Sequence, residues 1–320
     1  PYRSMSTLAR PTHPPALADG STWSGLRGCA LALALASGAR AASGPLLVLT
    51  NDAHESELLV NELNFFLNGD LPVMEFPDWE TLPYDGFSPP QGIVSDRLAT
   101  LSSLEHLERG IVVTRLSTTA VRLPPRSFVY GSAFLFAPGD RLDVQALRRR
   151  LTDAGYHATS QVNEHGEFAI RGSLFDIYPA GSKRPVRVDL FDDEIETLRY
   201  FDPETQRSED TLESVRLLPA REYPLDEAGI TWFRQSFRKR FEGNPTESVI
   251  YQHISEGISA AGAEQYLPLF YETTSSFFEY LPDNTVVALP DDVDDIQQHH
   301  WEDVEQRYEQ LRYDRTRPLM

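Results

Sequence analysis

The chain has 320 residues, 41% of them hydrophobic, and its 29 Lys and Arg against 48 Asp and Glu give a net charge of −19. That length accommodates two or three domains with cores of their own, and that charge disfavours non-specific binding to a phosphate backbone unless positive side chains gather locally. One cysteine, Cys29, permits neither an internal disulfide nor a thiolate zinc cluster, so no metal site is expected and a reducing cytoplasm fits.

In chain order, residues 1–4 lack an initiating methionine and read as a cloning remnant, and the chain stops after Met320 without a cap, so a piece of a larger protein is expected. Gly20 and Gly25 stand at the glycine spacing of the G-x-x-x-x-G-K-[ST] phosphate loop, but Leu26 and Arg27 occupy the lysine and hydroxyl positions. The missing lysine and hydroxyl residue are what supply the phosphate-facing cation and a magnesium ligand, so hydrolysis is expected to fail and no cofactor is expected. Two glycines five apart also arise by chance; their place ahead of the first helix favours a decayed phosphate loop. The apolar run 26–36 is too short to span a bilayer and follows a polar, proline-containing stretch unlike a secretory leader. It reads as a buried helix with Cys29 as a small core residue.

Helix and strand then alternate: a strand over 45–50, a helix over 52–67, a strand over 73–76, a helix over 93–107 and a strand over 111–116. Asp52 with Glu55 three residues on resembles a capping box, and Leu58, Leu59, Leu63 and Phe66 recur at helical spacing. The order describes a parallel sheet covered by helices, an α/β domain of the RecA-like kind over 1–132. The loop 79–90 brings Asp78, Glu80 and Asp85 near Tyr84. Nothing places a nucleophile or a phosphate beside these acids, so a rigid or partner-facing loop is expected rather than an active site.

The character changes near Pro124 and Pro125, with short strands from Phe128, one helix over 144–154 closed by Gly155, and a β-meander; a β-rich domain over 133–218 is expected. Arg148, Arg149 and Arg150 read as the solvated face of that helix, with a local DNA-binding patch as the rival. Within the meander Val186, Val188 and Leu190 share one side of a strand, leaving Arg187, Asp189 and Phe191 on the other. The neighbouring strand puts Phe168 and Ile170 on one side and Arg171 opposite. Arginine beside an outward aromatic is the composition of binding hot spots; the alternative is a solvated sheet surface with one stray aromatic. From 219 to 320 a helical part is expected to pack back on the first domain, ending in an acidic helix with Val293, Ile296, Val304, Tyr308 and Leu311 at helical intervals. His299 and His300 are adjacent rather than a turn apart, so they do not face one metal.

Three segments carry a resemblance. EHGEFAIRGSLFDIYP over 164–179 with RVDLFDDEIETLRYFDPETQRS over 187–208, and GAEQYLPLFYE over 262–272, are similar to the UvrB-like modules of the bacterial transcription-repair coupling factors. FPDWETLPYDGFSPPQGIVSDRLATL over 76–101 favours these over UvrB itself, whose corresponding loop is tyrosine-rich and runs into a DNA-binding hairpin. The resemblance, from about residue 17 to the end, implies a UvrB domain 1-like sheet with a degenerate phosphate loop, an inserted UvrA-binding domain and a helical return. It implies docking of UvrA through Arg171, Arg187 and Phe191, with Glu167, Asp189 and Asp193 at the rim. It further implies a recruitment role in transcription-coupled nucleotide excision repair without catalysis, and a docking face masked in the resting full-length protein. The ATP-driven motor, RNA polymerase and double-stranded DNA would be served by parts outside this chain. The rival reading is a UvrB-like, ATP-dependent DNA-processing enzyme.

Overall fold

The computed structural model describes residues 20–320, so the four leading residues read as a cloning remnant lie outside the described residues. Helix α1 (Ala30–Ala41) buries Ala32, Leu35, Ala36 and Ala39 at three- and four-residue intervals, the stripe an amphipathic helix lays on a core. It begins later than the apolar run suggests. Gly28 makes a left-handed turn at φ 55°, and Cys29 sits outside the helix at its cap position, exposed to solvent. Cys29 is therefore not a core residue, because a chain still turning at Gly28 has not yet joined the buried stripe.

Strand β1 (Leu46–Thr50) leads to α2 (Ala53–Leu67). Asp52 accepts a hydrogen bond from the Glu55 amide, and the Glu55 carboxylate accepts one from the Asn51 amide, both at 2.8 Å. These caps satisfy amides that the first helical turn leaves free. Leu59, Leu63 and Leu67 form the buried line of α2, whereas Leu58, one residue off that line, faces solvent instead of joining it. There follow β2 (Val73–Phe76), α3 (Gln91–Leu104), β3 (Ile111–Arg115) and α4 (Arg126–Gly131). Short strands were expected from Phe128, but α4 is a helix whose Val129 packs in the same core as Leu98 and Leu101 of α3.

The central part comprises β4 (Phe134–Phe136), α5 (Val144–Asp153), β5 (His157–Ala158), β6 (Glu167–Arg171), β7 (Leu174–Ile177), β8 (Val186–Phe191), β9 (Glu194–Phe201), β10 (Ser208–Leu212) and β11 (Val215–Leu217). Asp143 caps α5 by accepting from the Gln145 and Ala146 amides, and Gly155 at φ 98° ends it. The Gly155 amide reaches Thr152 O and the Tyr156 amide reaches Leu151 O, the paired bonds of a Schellman stop. The last part holds α6 (Glu227–Arg240), α7 (Val249–Ser255), β12 (Val286–Ala288) and α8 (Val293–Leu311).

Two sheets organise these elements. The first runs β12-β1-β3-β2, all parallel, so the last part of the chain supplies its edge strand. Alternate residues of β1 and β3 enter different cores. Leu46, Val48, Ile111 and Val113 meet α1 and α2, while Leu47, Leu49 and Val112 meet α3 and Phe277. A parallel strand buried on both faces needs the unbroken apolar run seen in the sequence. The α/β class expected from that run is the one observed.

The second sheet runs β10-β9-β8-β7-β6-β5, antiparallel except for the β5–β6 pair. Its inner face packs Phe168, Phe175, Ile177, Val186, Val188, Leu190 and Leu198 against Leu147 and Leu151 of α5 and the β4–β11 pair. Arg148, Arg149 and Arg150 are exposed, with Arg150 stacked 4.0 Å over the Phe134 ring. The helical part has an aromatic core in which Tyr223 meets Phe270 at 4.6 Å, Phe270 meets Phe233 at 4.7 Å and Phe237 meets Tyr251 at 5.1 Å. Helix α8 is shallower than its apolar spacing suggests: none of its residues is fully buried, and Tyr308 and Leu311 are exposed. It lies on the loop after β2, where Arg307 pairs with Asp85 and donates to Pro83 O at 2.7 Å.

The parts meet at a buried ion pair. Arg97 of α3 reaches Glu222 at 2.5 Å, both side chains fully buried, and Arg97 also donates to Pro77 O at 2.7 Å and stacks 4.3 Å over Phe76. Trp79 donates to the same Glu222 oxygen at 3.3 Å, and Tyr271 donates to the Glu222 carbonyl at 2.8 Å.

Candidate functional site

The outer face of the six-stranded sheet gathers the charged side chains that the alternation of its strands sets apart. Register places Ala169, Asp176, Arg187 and Arg199 side by side across β6, β7, β8 and β9, and Arg171, Leu174, Asp189 and Thr197 in the next row. Phe191 lies further along β8 beside Glu194 and is 74% exposed, while Val186, Val188 and Leu190 point into the core. A register shift interrupts the β8–β9 pairing between Asp189 and Leu190. The extra residue falls on β9, so the alternation of β8 survives and Phe191 keeps its outward side.

Arg171 and Arg187 converge on one carboxylate. Asp176 is fully buried; Arg187 grips it at two points, Nε to Oδ1 at 2.7 Å and Nη2 to Oδ2 at 2.9 Å, and Arg171 Nη2 donates to Oδ2 as well. Arg187 also donates through Nη1 to Gln206 O at 3.1 Å and Ser208 Oγ at 3.3 Å, and it stacks 4.8 Å over Phe201. Its side chain is 13% exposed, against 45% for Arg171. The hydrogen bond to Asp176 holds the Arg187 proton above the ordinary guanidinium range, so this cation stays charged at any working pH. Beneath it Val162, Ala169 and Phe201 form a small apolar cluster on the outer face.

The other candidates are placed differently. Asp189 is half-buried, accepts from Thr197 Oγ1 at 2.7 Å and lies 4.0 Å from Arg199 Nε. Asp193 is exposed in the β8–β9 turn, 3.7 Å from Arg141. Glu167 turns into its own loop, accepting from the Asn163 amide at 2.7 Å and the Glu164 amide at 2.9 Å. Sequence reasoning missed Asp176, Leu174, Thr197 and Arg199. The signal was available: Phe175 and Ile177 are inward, so Leu174 and Asp176 share the outer side by the same parity that placed Arg187.

The segment around the glycine pair has no regular secondary structure from residue 21 to 27, and α1 opens only at Ala30. A cavity of about 480 Å³ lies beside Gly20 and Trp23. Leu31, Leu35, Val48 and Leu59 line it together with the carboxyl-bearing Glu55 and Asp291, and neither Leu26 nor Arg27 reaches it. Among the described residues, the charged groups that line this cavity are the carboxylates of Glu55 and Asp291.

In the loop after β2, Asp78 accepts from Thr118 Oγ1 at 2.9 Å and lies 3.6 Å from Arg115, and Asp85 accepts from the Leu82 amide at 2.8 Å. These acids are tied into local structure. His299 bonds Asp295 O at 2.6 Å, and burial lowers the affinity of His300 for its proton. Among the described residues no group of His, Cys, Asp and Glu is arranged to hold a metal ion, and no helix is long and apolar enough to cross a membrane.

Comparison with known proteins gives this face a family. Residues 134–223 match the UvrB interaction domain. The chain is 41% identical to the transcription-repair-coupling factor of Escherichia coli (strain K12) over 92% of its own length and 26% of that protein's. It is 42% identical to that of Haemophilus influenzae over 86% of its length and 24% of the relative's, and 30% identical to that of Bacillus subtilis (strain 168) over 83% and 24%. The chain thus spans about a quarter of the curated relatives it matches. It is a homologue of the transcription-repair-coupling factors, and it carries a UvrB interaction domain over residues 134–223.

Proposed function

We propose that this chain is a recruitment module of transcription-coupled nucleotide excision repair that binds UvrA through the outer face of its six-stranded sheet and catalyses nothing itself. The observation that carries the reading is an exposed phenylalanine, Phe191, on the same face as Arg171 and Arg187 within the UvrB interaction domain. Arginine and aromatic side chains dominate binding hot spots, the first through its planar fork and the second through the apolar area it loses to the partner. Glu167, Asp189 and Asp193 would border the contact. In the same reading the chain divides into 1–132, 133–218 and 219–320, works in the cytoplasm, and uses no cofactor, the residues 20–27 being a decayed phosphate loop. RNA polymerase and double-stranded DNA would be engaged by other parts of a longer protein.

Calorimetric titration of the chain into UvrA tests the reading, with Arg171→Glu as the comparison and ATP turnover measured on the same preparation. Micromolar or tighter binding that weakens at least tenfold in the variant is expected, without hydrolysis. A folded chain that leaves UvrA unbound sinks the docking assignment, and ATP turnover sinks the non-catalytic one.

A further inference from the structure

We propose that Asp176 is a positioning residue for docking: it fixes Arg187 as an anchor and holds Arg171 so that the free part of its fork faces the partner. The proposal rests on the reading of this face as the UvrA-binding surface. A lone carboxylate buried in a sheet is costly, and Asp176 contributes nothing to the apolar core on the other side. Its burial is compensated by the arginines on either side. Register sets Asp176 directly opposite Arg187, so strand pairing itself supplies the two-point contact. Arg171 reaches the same carboxylate from the adjoining strand.

The two arginines are not equivalent. Arg187 spends Nε, Nη1 and Nη2 on Asp176, Gln206 and Ser208 and is nearly buried, so it has little left to offer a partner. Arg171 shows one hydrogen bond, through Nη2, and its side chain is 45% exposed. Guanidinium carries five N–H donors in a rigid fork, so Arg171 keeps most of its own for an incoming carboxylate. Two guanidiniums around one carboxylate leave a net positive centre in a chain whose net charge is −19. The partner surface this centre suits is acidic, beside an apolar recess for Phe191. Asp176 would not touch the partner at all.

The test is a double-mutant cycle read in the Kd for UvrA, using Asp176→Asn and Arg171→Ala singly and together, with unfolding midpoints recorded for each chain. Asp176→Asn is expected to weaken binding about tenfold in the wild-type background and less than twofold when Arg171 is already alanine, because its effect passes through that side chain. Equal losses in both backgrounds would mark Asp176 as merely structural and overturn the proposal, as would wild-type affinity in a folded Asp176→Asn chain. Should Asp176→Asn not fold, Arg171→Lys keeps the charge but loses the fork at an exposed site. It is expected to cost at least fivefold, and unchanged affinity overturns the proposal. Absence of binding by the wild-type chain overturns the docking reading and this proposal together, whereas wild-type binding with an insensitive Asp176 overturns the proposal alone.

Discussion

Replacing Phe191 by alanine separates docking from folding more cleanly than any other change on this surface. A phenylalanine side chain has roughly 200 Å² to bury, and Phe191 is 74% exposed in the free chain, so roughly 150 Å² remains available to a partner. At ~25 cal/mol per Å² that area corresponds to at most ~4 kcal/mol, and alanine retains part of it, which leaves a loss of ~2 kcal/mol or about 30-fold in Kd. The free chain should scarcely notice, because an exposed substitution away from caps and cores shifts stability by no more than about 0.5 kcal/mol. Calorimetry against UvrA reads the first quantity and a thermal melt reads the second. A loss below threefold in a complex that still forms, or a markedly lowered melting temperature, would refute the reasoning. The first would leave Phe191 outside the contact and the second would make it a packing residue.

Glu222→Gln should strand the buried Arg97 guanidinium and cost about 3–5 kcal/mol, seen as a lower denaturant midpoint; a shift of under 1 kcal/mol would mean that the joint tolerates an unpaired charge. Asp52→Ala removes the cap of α2 and should cost about 1 kcal/mol in the same assay. Glu264 makes a pH prediction. Burial raises its pKa to about 7 from the ordinary 4.5, against the lowering effects of its backbone hydrogen bond, Ser88 and Arg221 and with a further raise from Glu222. The folded chain then holds a proton that the unfolded chain has released, so this residue's contribution to stability falls as pH rises from 4.5 through 7. Glu264→Gln should therefore gain on the wild type by ~2 kcal/mol between pH 5 and pH 8, and parallel pH profiles for the two chains would contradict the assignment.

Much of the architecture was legible because it rests on local periodicity. The unbroken apolar runs of β1 and β3 announce strands buried on both faces, and the alternation in β8 separates Val186, Val188 and Leu190 from Arg187, Asp189 and Phe191. What the sequence conceals depends on partners distant in the chain. Asp176 interrupts an apolar strand, and only pairing with β8 and the approach of Arg171 turn that interruption into a buried ion cluster. Arg187 reads as exposed by parity but is covered by Gln206, Ser208 and Phe201 from the β9–β10 region. The spacing in α8 reveals a helix correctly and its depth wrongly, since it lies on an irregular loop, where Tyr308 meets Tyr84 and Arg307 meets Pro83 O, instead of on a core. Cys29 misleads for a local reason, because a single turn at Gly28 moves the helix start past it.

The edge strand of the first sheet constrains how the molecule is made. Register pairs Leu46 with Val286. A ribosome working at ~5–20 residues per second needs roughly 12–48 s to polymerise the intervening ~240 residues. During that interval the flank of β1 that will receive β12 is an open row of backbone donors and acceptors on the nascent chain, the kind of edge that invites intermolecular pairing. The domain inserted between them draws its strands from 134 to 217 and closes its core with residues already emerged. Translation thus delivers a finished six-stranded sheet on a scaffold whose own sheet seals last, and truncation before Val286 would release the first without ever completing the second.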